Sequence, residues 1–259
     1  MDEELPSAAR MYDYFLGGSH HFAVDRAAAK EVERAIPWIG EVYRANRAFL
    51  RRAVRCFLDE GVTQFLDLGS GIPTVGNVHE VARQVQPAAR VVYVDIDPVA
   101  VAHSEALLED VPDAAILRAD VREPERILEH PTARAVLDFS RPVGLLMVGV
   151  LHFLHDRDHP YEHVAAYRDA VPPGSMIAVT HGTIDGRPEE LTAASQAITT
   201  VYNHVDRPSV TRTHAEVLRF FDGFTLLEPG VVPVTSWRFD GATPWNGWFP
   251  VYAGVGKKD

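Results

Sequence analysis

Asp67-Leu68-Gly69-Ser70-Gly71-Ile72-Pro73-Thr74 follows directly on Gln64-Phe65-Leu66, so residues 64–68 read as a buried strand and residues 69–74 as a glycine loop. Gly-x-Gly after a first strand lets the backbone approach a ligand closely, because no Cβ stands in the way. One βαβ half-unit further on, Val94-Asp95-Ile96-Asp97 ends a second strand. An acid at that point can accept hydrogen bonds from both ribose hydroxyls of a nucleoside. A loop alone would mark only a turn; the loop, the acid and the alternation around them together point to a nucleoside site.

Working outward, the pattern is strand, helix, strand throughout. Asn77 and Glu80 form a capping-box pair that opens the helix after the loop. Residues 90–96 are the second strand, and Asp97-Pro98 places a capping residue before a first-turn proline. Further strands are expected at residues 115–119, 143–148, 176–180, 224–228 and 251–255. Helices are expected at 159–170 and 189–204, with another opened by Thr213 and Glu216 and closed at Gly223. Strand runs that are almost continuously apolar, joined by crossover-length segments, predict an α/β, Rossmann-like, doubly wound parallel sheet.

Residues 1–60 have a different texture. Trp38, Ile39, Val42, Phe49, Leu50, Ala53, Val54 and Phe57 recur at helical spacing, and Gly17-Gly18 stops an earlier short helix. No linker separates this stretch from the rest. It is expected to be an N-terminal helical cap of the same domain, with residues 61–259 as the ligand-binding body.

Composition narrows the partners. The chain has 259 residues, 46% of them apolar, and 25 basic against 36 acidic residues give a net charge of −11. Duplex nucleic acid and anionic membranes draw their affinity from Lys and Arg, so neither is an expected partner. Cys56 is the single cysteine, which excludes an intrachain disulfide and a cysteine-based zinc site. Residues 1–6 lack the basic and apolar regions of a secretory signal, and the longest apolar run, residues 143–151, is too short to span a bilayer. A soluble cytoplasmic protein is expected; the sequence sets no oligomeric state.

The loop departs from a dinucleotide fingerprint. Its third glycine position is Thr74, Pro73 sits inside it, and no Tyr-x-x-x-Lys pair is present. It also begins from an acid, Asp67, which suits the ammonium of an amino-acid cosubstrate. Asp67-Leu68-Gly69-Ser70-Gly71, Asp95 and Ala119-Asp120-Val121 resemble the class I S-adenosylmethionine-dependent methyltransferases. Ala9-Arg10-Met11-Tyr12-Asp13-Tyr14-Phe15-Leu16-Gly17-Gly18, Val150-Leu151-His152-Phe153 and Tyr252-Ala253-Gly254-Val255 resemble, more narrowly, an actinobacterial S-adenosyl methyltransferase family formerly catalogued as a domain of unknown function.

The resemblance covers essentially the whole chain. It implies a seven-stranded, mostly parallel sheet with an antiparallel last strand, and S-adenosyl-L-methionine as cofactor. It implies that Gly69, Ser70 and Gly71 lie against the methionine part, with Asp67 at its ammonium. Asp95 and Ile96 would face the ribose, Asp120 and Val121 the adenine, and Gly149 the methyl-transfer point. Tyr14 and Gly18 could fold over the cofactor as a lid.

Methyl transfer needs no obligatory catalytic residue, since proximity and orientation carry most of it. His152 and His181 follow strand ends and are the candidate bases. Arg47 reads as a solvated surface residue of the cap. His152, His155, Asp156, Asp158, His159 and His163 crowd one stretch, but a loop running into a helix explains them, and no metal is expected. Trp237, Phe239, Trp245, Trp248 and Phe249 read as packing onto the sheet. A small-molecule methyltransferase is the reading favoured; the alternative is a non-catalytic S-adenosylmethionine sensor or scaffold, and a nicotinamide-dependent dehydrogenase is weaker still.

Overall fold

Side chains alternate across the central strands and divide between two cores. Phe65, Val91, Tyr93, Leu146, Met176 and Ala178 face one, and Leu66, Leu68, Val92, Val94, Leu145, Met147, Ile177 and Val179 the other. The structure is a computed structural model. It describes residues 5–73, 76–202, 205, 208–241, 245 and 247–259. Thr74 and His204, which the sequence reading singled out, lie outside the described residues.

Among the described residues, eight strands form one sheet. They are β1 (Gln64–Leu68), β2 (Arg90–Asp95), β3 (Ala114–Arg118), β4 (Gly144–Val148) and β5 (Met176–Gly182), followed by β6 (Thr225–Leu226), β7 (Val232–Pro233) and β8 (Val251–Lys257). The order is β3-β2-β1-β4-β5-β8-β6, with β7 also on β8. β1 to β5 are parallel. β8 runs antiparallel to β5, β6 and β7. The class I methyltransferase topology is therefore present, with β7 as an addition. β6 is shorter than the expected 224–228, because the chain turns at Gly230, whose amide donates to Leu227 O (2.8 Å). Pro233 lacks an amide hydrogen, and β7 accordingly sits on an edge.

Three helices make the cap: α1 (Ala8–Phe15), α2 (Ala23–Ala35) and α3 (Ile39–Asp59). α3 lies close on the sheet. Phe57 stacks parallel to Phe65 at 6.3 Å between ring centroids, and a side chain at Gly144 would collide with Phe57. Arg52 donates to the Val234 and Trp237 carbonyls, both at 2.9 Å, and so ties α3 to the C-terminal stretch. Trp237 itself is fully buried edge-on to Phe49.

α4 (Val78–Arg83) and α5 (Pro98–Leu108) follow the first two strands. α6 (Pro124–Leu128), α7 (Pro131–Val136), α8 (Pro160–Asp169) and α10 (His214–Leu218) follow later strands, and α9 (Thr192–Tyr202) packs on α2. The expected helix over 189–204 is a 3₁₀ turn, Glu189–Leu191, leading into α9. Among the described residues no helix is long and apolar enough to cross a membrane.

A buried polar knot fastens the cap to the turn after β2. Asp25, fully buried, accepts from Arg10 Nε (2.7 Å) and the Ser7 amide (2.9 Å). The Ser7 hydroxyl donates to Asp97 (2.5 Å), whose carboxylate also caps α5 through the Val99 amide (2.7 Å). The Asp97 amide donates to Asp95 (2.8 Å). The first helix is thus linked through two residues to the acid at the end of β2.

Candidate functional site

The C-terminal ends of β1 to β5 open into a cavity of about 690 Å³, within the usual range for small-molecule sites. α1 and α3 cover it, and α9 and the segment around Trp248 close its far side. Asp67, Gly69, Ser70, Gly71, Asp95, Ile96, Asp120, Val121 and Gly149 all line it, as do His152 and His181.

The glycine loop is shaped by its backbone. Gly69 and Gly71 have φ of +74° and +68°, a region that L side chains rarely enter. A side chain on Gly69 would also run into Val150. The Gly71 amide donates to Asp95 Oδ2 (2.7 Å), so loop and acid brace each other. Each carboxylate oxygen of Asp95 has accepted one amide and keeps capacity for a hydroxyl donor. Burial pushes the Asp95 carboxyl up to about 6, against the pull of those amides.

Beside the loop lie several buried polar groups with nothing to bind. Asp67 makes no hydrogen bond or ion pair to a described residue, and burial pushes its carboxyl up to about 7 despite the nearby Arg47. Arg47 is 8% exposed, not solvated as its sequence context suggested. Its guanidinium lies 5.7 Å from the Tyr12 ring centroid, and its Nε has no partner. Ser70 Oγ and Asn46 Oδ1 are likewise buried and unpartnered. An unpaired carboxylate, an unpaired guanidinium and two spare acceptors thus stand together beside the glycine loop. Arg47 was legible in principle: it lies four residues after Tyr43 and three before Leu50, on one face of α3.

Asp120 keeps its place on the wall but is gripped by Arg122, with Nη2–Oδ2 at 2.6 Å and Nε–Oδ1 at 3.0 Å. The Gly149 amide donates to Thr180 Oγ1 (2.8 Å), and Tyr12 and Asn46 stand over it. Trp248 lines the cavity, unlike Trp237 in the core.

The two candidate bases fare differently. His181 is fully buried; its Nδ1–H donates to Gly182 O (2.8 Å), and its Nε2 accepts from Arg212 Nη1 (2.7 Å). Both ring nitrogens are committed, which corrects the expectation of a base there: the residue holds the wall. Burial, aided by the Arg212 charge, lowers it to about 4. Arg212 was missed in the sequence. It is 4% exposed and also donates to Leu154 O (3.0 Å) and Asp156 (2.7 Å). The His152 imidazole makes no hydrogen bond to a described residue. Burial first, then His181 and Arg212, lowers it to about 3, so it is neutral at pH 7.

Tyr14 and Gly18 are not brought to the cavity, which corrects the expected lid contact. The Tyr14 hydroxyl donates to Glu33 (3.1 Å), and its ring meets Phe15 and His21 edge-on. Gly18 is pressed against the buried Asp13 side chain. Tyr12, two residues earlier, occupies the cavity wall instead. Tyr14→Phe is therefore expected to change the affinity for S-adenosylhomocysteine by less than about twofold, since a half-exposed hydrogen bond is all it removes. A large loss in calorimetric titration would place Tyr14 back over the ligand.

Four polar residues in the stretch from His152 to His163 have protein partners. His155 Nε2 donates to Pro208 O (3.2 Å), Asp156 pairs with Arg212, Asp158 with Arg122 (3.3 Å) and His159 with Glu162 (3.3 Å).

A family model described as S-adenosyl methyltransferase matches residues 1–259. The chain is similar to a protein from Thermobifida fusca assigned as a methyltransferase, with 42% identity over 99% of this chain and 96% of that one, and a TM-score of 0.92. It is similar also to a DUF574 family protein from Streptomyces avermitilis, at 37% identity over 100% and 99% of the two chains, with a TM-score of 0.93. Human N-acetylserotonin methyltransferase in complex with S-adenosylmethionine shares the fold at 16% identity, over 95% of this chain and 62% of that one, with a TM-score of 0.52. No curated protein sequence matches the chain.

Proposed function

Because the chain belongs to the S-adenosyl methyltransferase family, we propose that it is a cytoplasmic enzyme that moves a methyl group from S-adenosyl-L-methionine onto a small molecule held in the same cavity. The observation that carries this is continuity. Gly69, Gly71 and Asp95 at one end and Thr183, Gln196 and Trp248 at the other line a single space. A covered cavity of this size suits a small acceptor better than a polypeptide or nucleic-acid strand.

When bound, S-adenosyl-L-methionine supplies an electrophilic sulfonium methyl, and the chemistry is an in-line displacement. The residues of the chain position and enclose. Asp67 receives the ammonium of the methionine part, and Arg47 its carboxylate. Asp95 accepts from the ribose hydroxyls with its two remaining lone-pair positions. Ile96, Asp120 and Val121 form the adenine wall. Gly149 leaves room beside the transferred methyl, and His152, neutral at pH 7, accepts a hydrogen bond from the acceptor and orients it.

Titration of S-adenosylhomocysteine by calorimetry tests the cofactor half, and absence of binding heat overturns it. Incubating the enzyme and labelled S-adenosyl-L-methionine with separated cell-extract fractions tests the acceptor half. Label transferred only to the macromolecular fraction overturns the small-molecule reading.

The carboxylates also predict a pH dependence. Bound ammonium and hydroxyl donors favour ionised Asp67 and Asp95, so binding expels their protons. Affinity is present above about pH 7 and weakens as pH falls through the two raised values, about 7 for Asp67 and about 6 for Asp95. Between pH 8 and 5 the loss is expected to exceed about tenfold. A flat affinity over that range would remove both carboxylates from the site.

A further inference from the structure

Charge is divided unevenly along the cavity. Its four described carboxylates, Asp67, Asp95, Asp97 and Asp120, all stand at the ends of β1, β2 and β3, on the cofactor side. From β4 onward the described lining contains no carboxylate and one guanidinium, that of Arg187. The cofactor is itself cationic at its sulfonium and ammonium, so acids belong on its side. The other half needs a separate explanation.

Arg187 is half-buried, lines the cavity, and makes no side-chain hydrogen bond or ion pair with a described residue. The backbone of the turn that carries it is braced. The Arg187 amide donates to Ile184 O (3.1 Å), and the Asp185 amide to Thr183 Oγ1 (3.0 Å). Trp248 Nε1 donates to Asp185 O (2.7 Å) from across the cavity mouth. Pro188 follows and restricts the backbone further. Of the two acids two residues away in sequence, Asp185 accepts from the His214 amide (2.6 Å) and Glu189 is exposed, and neither is paired with Arg187. An unpaired guanidinium at the edge of an apolar space, carried on a braced turn, can receive an anion. The same cavity is lined by apolar and aromatic side chains, among them Ile39 and Val42 from the cap, Tyr202 from α9, and Trp248.

We propose that the acceptor is an apolar carboxylic acid, its carboxylate paired with Arg187 and its apolar body lying between the cap and α9, so that its methyl-accepting atom points toward Gly149. This rests on the methyltransferase reading and adds the substrate class. A cationic amine is disfavoured twice, by Arg187 and by the sulfonium.

The test uses the whole protein saturated with S-adenosylhomocysteine. Benzoate, naphthoate and decanoate are titrated in turn, each beside its primary amide and the corresponding amine. At least one acid is expected to bind, about tenfold more tightly than its amide, with the amine weakest, as a charged hydrogen bond predicts. Arg187→Gln is expected to erase the gap between acid and amide, and Arg187→Lys to keep part of it, while neither changes the affinity for S-adenosylhomocysteine. The proposal is overturned if no acid binds, if an amide or amine matches its acid, or if Arg187→Gln leaves the preference intact. Failure of S-adenosylhomocysteine itself to bind is a separate result, and it removes the methyltransferase reading first.

Discussion

Asp95→Ala is expected to lower the affinity for S-adenosylhomocysteine by about a hundredfold or more. Asp95 faces the cavity with an oxygen on each side, and each already holds one amide, from Gly71 and Asp97. With the ribose placed as proposed, the substitution removes two charge-assisted hydrogen bonds. At roughly 1.5–3 kcal/mol each, that is about 3–6 kcal/mol, or two to four orders of magnitude in the dissociation constant. It also releases the Gly71 amide, so the loop loses its brace. Loss of folding is not the expected cause. A buried carboxyl whose value is raised disfavours the folded state as pH rises, and removing it relieves that cost while two amides lose their acceptor. The melting midpoint at pH 8 without ligand is expected to stay within about 4 °C of wild type. Wild-type affinity in calorimetry would mean that the ligand's sugar lies elsewhere.

Arg212→Met is expected to give the largest loss of stability. Arg212 ties together the loop after β4 and the end of β5, through Leu154 O, His181 Nε2 and Asp156, and its guanidinium lies over the rings of Tyr161 and Phe220 at 5.7 and 5.5 Å. Methionine fills much of the volume but donates nothing. Buried acceptors left unsatisfied cost about 1–3 kcal/mol each, so a loss of about 3–5 kcal/mol and a midpoint lower by roughly 10 °C are expected. Thermal unfolding followed by circular dichroism reads this directly. An unchanged midpoint would show that water replaces the guanidinium at no cost.

These two residues also mark what could be read without coordinates. The placement of Gly69, Gly71 and Asp95 was reachable because it is set by local backbone: a strand end, a left-handed turn, a fixed distance to the next strand. The capping pairs at Asn77 and Thr213 were legible for the same reason. Arg212 and Arg47 were not, since their partners and burial come from packing between distant segments. Tyr12 and Tyr14 illustrate the difficulty. They are separated by about 200° around one helix, and choosing between them requires knowing where that helix docks. His181 was placed correctly at a strand end, but the arginine that occupies its Nε2 lies 31 residues away. α6 and α7 escaped notice because a turn or two of helix behind a proline leaves too short a period to recognise.

The position of β8 has a bearing on biosynthesis. β8 comes after all the other described strands in the chain, yet it is an interior strand, wedged between β5 and β6. Until residues 251–257 clear the ribosome, β5 presents an open, apolar edge, the kind of template on which nascent chains stick to one another. Termination before residue 251 would therefore leave β6 and β7 cut off from the five parallel strands and β5 as a bare edge, a substrate for chaperones and proteases and not a slightly shortened enzyme.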